Sequence, residues 1–151
     1  MPRCPGKEST RPSAFDHQVK LFVDEQHAEQ VRQWVAGATQ LVVSELTWVE
    51  MCAALALKMR TRQVDVPQVR SALAALRKGW PSYQRLGTDA ALFAEAGELA
   101  LRHDLRAYDS VQLASARRAF GTTGAALVFC CFDRQLNAAA TAIGLPVFSA
   151  G

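Results

Sequence analysis

The sequence predicts an α/β domain, a short parallel sheet with helices on both faces in a three-layer α/β/α sandwich. Three observations carry this. Short, continuously apolar runs stand at Leu41-Val42-Val43 and at Ala126–Phe132 (ALVFCCF), as strands buried on both faces do. Longer stretches rich in Ala, Leu, Arg and Met alternate with them. The chain has 151 residues, half apolar and 21% charged, which suits one domain burying about 70% of its unfolded surface.

Taken in order, Met1–Ser13 (MPRCPGKESTRPS) holds three prolines, a glycine and mixed charge. It reads as a flexible tail, and residues 1–15 are set apart from a domain over 16–151. Its polar, Pro-broken character does not fit a signal peptide. From His17 to Ala36 the apolar positions Val19, Leu21, Phe22, Val23, Val31, Trp34 and Val35 predict one bent helix or two short ones, closed by Gly37. The Leu41–Val43 strand follows, with Ser44 as N-cap of a helix over Glu45–Arg60. A second helix starts near Pro67, well placed in a first turn, and runs to Lys78. Thr88–His103 and Tyr108–Phe120 are the next helices, the latter stopped by Gly121. After the second strand come a helix over Arg134–Ile143 closed by Gly144, and a last short strand at Pro146-Val147-Phe148.

A formal charge of +3 is mildly basic and permits, without requiring, a polyanionic partner. Arginine outnumbers lysine by about three to one; this suits phosphate recognition, and equally follows from a GC-rich genome. Cys4, Cys52, Cys130 and Cys131 form no CxxC pair, and His17, His27 and His103 no HExxH, so neither a zinc site nor a disulfide framework is indicated. Adjacent Cys130 and Cys131 would point to opposite faces of a strand. No apolar run is long enough to span a bilayer, and a reducing cytoplasm is the expected compartment.

Polar residues just past the strands are the first suspects for chemistry, since ligands of open parallel sheets bind at the carboxyl edge. Glu50 lies on a helix with Leu46, Ala53, Ala54 and Leu57 as same-face neighbours. Its carboxylate either emerges within an apolar stripe, where a charge needs a partner, or sits at the stripe's edge and reaches water. Asp133 ends a buried strand and starts a helix, and Asp109 lies in a first helical turn. Each alone fits a cap or a dipole partner. Together they suggest more. Three carboxylates at one sheet edge would repel by about 4 kcal/mol per close pair at an effective dielectric of about 20. A hard divalent cation such as Mg2+ relieves that repulsion and is suited to phosphate chemistry. No Cys–His or Ser–His–Asp arrangement competes, and GxGxxG and Walker loops are absent. Glu25, Glu45, Asp104 and the pairs Arg77-Lys78 and Arg117-Arg118 read mainly as solvated charge.

These positions coincide with a family pattern. VVSELTWVEMCAAL, with Ser44 after a strand and Glu50 six residues on, resembles a PIN-domain segment. LRAYDSVQLASA (Leu105–Ala116) is similar to that family's third acidic motif, with Asp109 the acid. LVFCCFDRQLNAAATAIGLPVF (Leu127–Phe148) is similar to its closing strand-Asp-helix-strand unit, with Asp133 the acid, and KLFVDE (Lys20–Glu25) resembles the helix after its first motif. The resemblance spans roughly residues 19 to 149. It implies a small α/β/α sandwich of the VapC toxin type and Mg2+- or Mn2+-dependent endoribonuclease activity, with Glu50, Asp109 and Asp133 as metal ligands. It also implies a homodimer and a small antitoxin as partners.

Two departures accompany the resemblance. The family opens with a strand ending in Asp-x-Ser-Ala, whereas counting back from Lys20 places Ala14 at the Asp, or Arg11 if Ser13-Ala14 is aligned instead. Asp16 is near but out of register, so the first strand is missing or atypical. Cys131 stands where relatives carry Thr or Ser. Two other readings therefore stay open: an impaired PIN relic that only binds antitoxin or RNA, and a structural α/β domain whose acids are all caps.

Overall fold

The computed structural model describes residues 29, 33, 36–38, 40–123, 127–131 and 133–148. The tail and most of the helix expected over His17–Ala36 lie outside the described residues, as does the question of the first strand; Glu29, Gln33, Ala36 and Gly37 are helical.

Strand β1 (Val42–Ser44) leads into helix α1 (Leu46–Arg60). Helix α2 (Val66–Gly79), a 3-10 turn at Trp80–Ser82 and strand β2 (Gln84–Leu86) follow. Helices α3 (Ala90–His103), α4 (Ala107–Thr123) and α5 (Arg134–Ala142) complete the described chain. β1 and β2 pair in parallel, Val42 opposite Gln84 and Ser44 opposite Leu86, as a crossover through two helices permits. Phe129 and Val147 form a second parallel bridge, with Phe129 N–H donating to Pro146 O at 2.7 Å and Phe148 N–H to Phe129 O at 2.8 Å. The α/β class and parallel pairing are as the sequence predicts.

Several local expectations change. Ser44 ends β1 and Glu45 holds the N-cap position with no side-chain bond, yet Ser44 Oγ still accepts from the first helical N–H, that of Leu46, at 3.4 Å; the Glu45 N–H continues the ladder to Leu86 O at 3.0 Å. The α2 cap is Asp65, in a reciprocal capping box with Gln68 at 2.8 Å in each direction. Helix α4 runs through Gly121 to Thr123, because one glycine costs a helix only about 1 kcal/mol and does not break it. Gly144 does close α5, at φ +83°, in the left-handed region glycine adopts freely. The Ala126–Phe132 strand contracts, among its described residues, to the single bridge at Phe129. β2 was not expected, for reasons its burial makes plain: Gln84 and Arg85 are exposed, so the segment lacks the apolar signature of an inner strand.

Packing follows the helical stripes. α3 contributes Leu92, Ala96 and Leu99, α4 Val111, Leu113 and Ala114, and α5 Leu136, Ala139 and Ala140 to the main core, which Cys131 and Leu145 join. Leu55 of α1 meets Val64, Val69 and Ala72 in a smaller cluster. Trp48 stands edge-on to Trp80 at 5.3 Å, and Trp80 to Tyr83 at 5.9 Å, fixing α1 to the turn before β2. Arg117 and Arg118 lie at the surface, as the sequence suggests, and there they also tie α4 to α3. Arg118 meets the Asp89 carboxylate through two bonds at 2.9 and 3.1 Å while Asp89 also caps α3 at Leu92 N–H, and Arg117 meets Glu95 at 3.3 Å. Among the described residues, no helix is long and apolar enough to cross a membrane.

Candidate metal-binding active site

Thr47, Met51 and Leu55, one per turn, form the buried stripe of α1. Glu50 lies beside this stripe rather than within it: Ala53 and Leu57, its expected apolar neighbours, are exposed. A hydrogen-bond partner for Glu50 comes from α4. Asp109 and Gln112, three residues apart, share a face of α4, and that face meets the face of α1 holding Thr47 and Glu50. Gln112 Nε2 donates to Glu50 Oε2 at 2.6 Å and to Thr47 Oγ1 at 3.2 Å.

This setting alters the carboxyl chemistry. Burial pushes Glu50 from its ordinary 4.5 up to about 7; the Gln112 hydrogen bond opposes the rise and the Asp109 charge adds to it. Asp109 is buried to 7% exposure. The Asp109 charge thus lies close enough to Glu50 to raise its proton affinity. Like-charge pairs of this kind occur at functional sites more than in plain structural frameworks.

Asp133 is buried to 8% exposure. As N-cap of α5 its Oδ1 accepts from Leu136 N–H at 2.8 Å, so the capping role expected of it from sequence is realised. Its own N–H donates to Cys131 Sγ at 3.3 Å. The thiol thus serves as the acceptor for that backbone N–H. Burial pushes the Cys131 thiol far above its usual range, and the charges of Asp133 and Asp109 both add to the rise. Burial likewise raises Cys130, to about 11. Neither thiol is a ready nucleophile at neutral pH.

The structure therefore sets Glu50 near enough to Asp109 to feel its charge, while Asp133 stands apart from them at the α5 cap beside Cys131. Among the described residues, no three His, Cys, Asp or Glu side chains are grouped so that they could hold a metal ion. The donor chemistry itself fits a hard divalent cation: all three candidates are carboxylates, and neighbouring carboxylates that repel gain from a cation. Gln112 went unnoticed in the sequence. Its one visible signal was its spacing, a turn after Asp109 on the same face; its partner lies 62 positions away.

The PIN domain family matches residues 19–142. Two curated relatives from Mycobacterium tuberculosis are similar over most of the chain. Ribonuclease VapC45 of strain CDC 1551 / Oshkosh and ribonuclease VapC49 of strain ATCC 25618 / H37Rv are each 33% identical over 135 residues, covering 89% of this chain and 90% of the relative.

Proposed function

The chain belongs to the PIN-domain family, and from that premise we propose that it is a metal-dependent endoribonuclease, the toxin of a VapC-type toxin–antitoxin pair. The observation that carries the reading is the half-buried Glu50 carboxyl set near the buried Asp109 carboxylate, inside the segment the family matches. Glu50, Asp109 and Asp133 are the residues that would hold Mg2+ or Mn2+. Such an ion supplies charge neutralisation and Lewis acidity for hydrolysis of an RNA phosphodiester. The chain's own part is positional. The α5 cap fixes Asp133 through Oδ1, the Gln112 bond fixes Glu50 through Oε2, and burial of Asp109 keeps water from dispersing the local charge.

The remaining elements of the proposal rest on the family and the sequence. The partners are an RNA substrate, a small antitoxin and a second copy of the chain, in the cytoplasm. Activity is reduced relative to a full acidic set, because Ala14 or Arg11 stands where the family's first Asp would be, and one missing ligand weakens metal binding and misplaces the attacking water. A displacement of about 1 Å costs on the order of 100-fold in rate.

The test is cleavage of a fluorescent RNA with Mg2+, with Mn2+ and with EDTA, for the parent and for Glu50→Gln, Asp109→Asn and Asp133→Asn. Metal-dependent cleavage that any of the three substitutions removes is the expected result. Cleavage that persists in EDTA, or in all three variants, refutes the assignment.

A further inference from the structure

Gln112 is the described side chain that grips Glu50, and the manner of the grip points to a purpose. Its amide nitrogen carries two hydrogens. One goes to Glu50 Oε2 at 2.6 Å and the other to Thr47 Oγ1 at 3.2 Å, so both are directed at α1. Thr47 is 1% exposed and stands in the buried stripe of α1, which makes it a fixed anchor rather than a mobile surface hydroxyl. Asp109 lies one turn before Gln112 on the same helix. The amide is thus tied to the rigid part of α1 at one end and positions the half-buried carboxylate facing Asp109 at the other.

We infer that Gln112 is a positioning residue that holds Glu50 by Oε2 with a neutral donor, leaving Oε1 and the full negative charge for a divalent cation shared with Asp109. The inference rests on the metal-site reading above and adds a residue to it. The residue type matters. A lysine or arginine here would neutralise Glu50 and compete with the cation. A second carboxylate would repel it. An apolar side chain would leave Glu50 free to turn to water, and ordering it again would subtract from metal affinity. An amide orients the ligand and leaves its charge intact. Outer-sphere partners that orient metal-binding side chains typically account for 10- to 100-fold in metal affinity.

The experiment measures Mn2+ binding to the full-length protein by electron paramagnetic resonance or calorimetry, alongside thermal melting. It compares the parent with Gln112→Met, Gln112→Ala, Gln112→Lys and Glu50→Gln. The expected result is a 10- to 100-fold weaker Mn2+ affinity in Gln112→Met and Gln112→Ala while the folded baseline is kept. The Mg2+ concentration for half-maximal RNA cleavage rises by a similar factor, and most of kcat returns at saturating Mg2+. Gln112→Lys, which keeps a donor near Glu50 but adds a charge, also loses affinity; a merely structural bond would be rescued by it. Parental Mn2+ affinity in a folded Gln112→Met or Gln112→Ala protein overturns the inference and leaves the metal site standing. A parent that binds no Mn2+ overturns both.

Discussion

Replacing Glu50 with glutamine should make the metal-free protein more stable and do so only above a definite pH. Glutamine is nearly isosteric and its Oε1 still accepts from Gln112, so the substitution removes the charge and little else. Burial raises the folded-state value of Glu50 from 4.5 to about 7, which corresponds to about 3 kcal/mol at about 1.4 kcal/mol per tenfold change in proton affinity. Because the side chain is only half-buried, solvent screening reduces this to roughly 1.5 kcal/mol. Below about pH 4.5 both folded and unfolded chains hold the proton, and parent and variant melt alike. As the pH rises the unfolded chain ionises first, while the folded protein keeps its proton until about pH 7. The parent therefore loses stability relative to Glu50→Gln across this window, reaching a plateau above it. For a domain of this size 1.5 kcal/mol is about 3 to 6 °C in melting temperature. The assay is a pair of melting curves at intervals from pH 4.5 to 8.5 in EDTA. A difference between the two proteins that is the same at pH 5 and pH 8 would refute the reasoning.

Three other outcomes follow from the same geometry. At pH 8, Mg2+ at ten times its dissociation constant should add about 1.4 kcal/mol to the parent and almost nothing to Glu50→Gln or Asp109→Asn, as read by thermal shift. Asp133→Asn should melt close to the parent, because asparagine caps a helix as well as aspartate, while Asp133→Ala loses about 1 kcal/mol; both should lose metal-dependent cleavage, which separates the cap from the ligand. Val49 and Leu57, 59% and 48% exposed on α1, should cover a partner. A Val49→Lys, Leu57→Glu double variant should weaken self-association or antitoxin capture by at least tenfold in light scattering or pull-down titration, with an unchanged melting temperature.

The acids of the candidate site were legible in the sequence because each sits at a local landmark. Asp133 closes an apolar run and opens a helix, Asp109 stands in a first turn, and Glu50 follows a strand at a fixed interval. Helix positions were legible too, since periodicity and end signals act over a few residues. Pro67 stands in the first turn of α2 as its residue type predicts, and the caps that precede α2 and α3 are Asp65 and Asp89. Nearby residues compete for the same cap, and the backbone decides among them.

What the tertiary structure alone decided are the relations between distant segments. A polar, exposed triplet, Gln84–Leu86, becomes a strand because β1 offers it a ladder, not because its side chains favour burial. Arg118, which reads as solvated charge, is claimed by Asp89 across 29 positions. Glu50 lies beside its helix's buried stripe rather than inside it, and its hydrogen bond and the charge that adds to its proton affinity both arrive from α4. Local sequence sets which residues are able to form elements and caps. The electrostatics of a carboxylate depend on desolvation and on charges within a few ångströms, and those neighbours are chosen only when the helices pack.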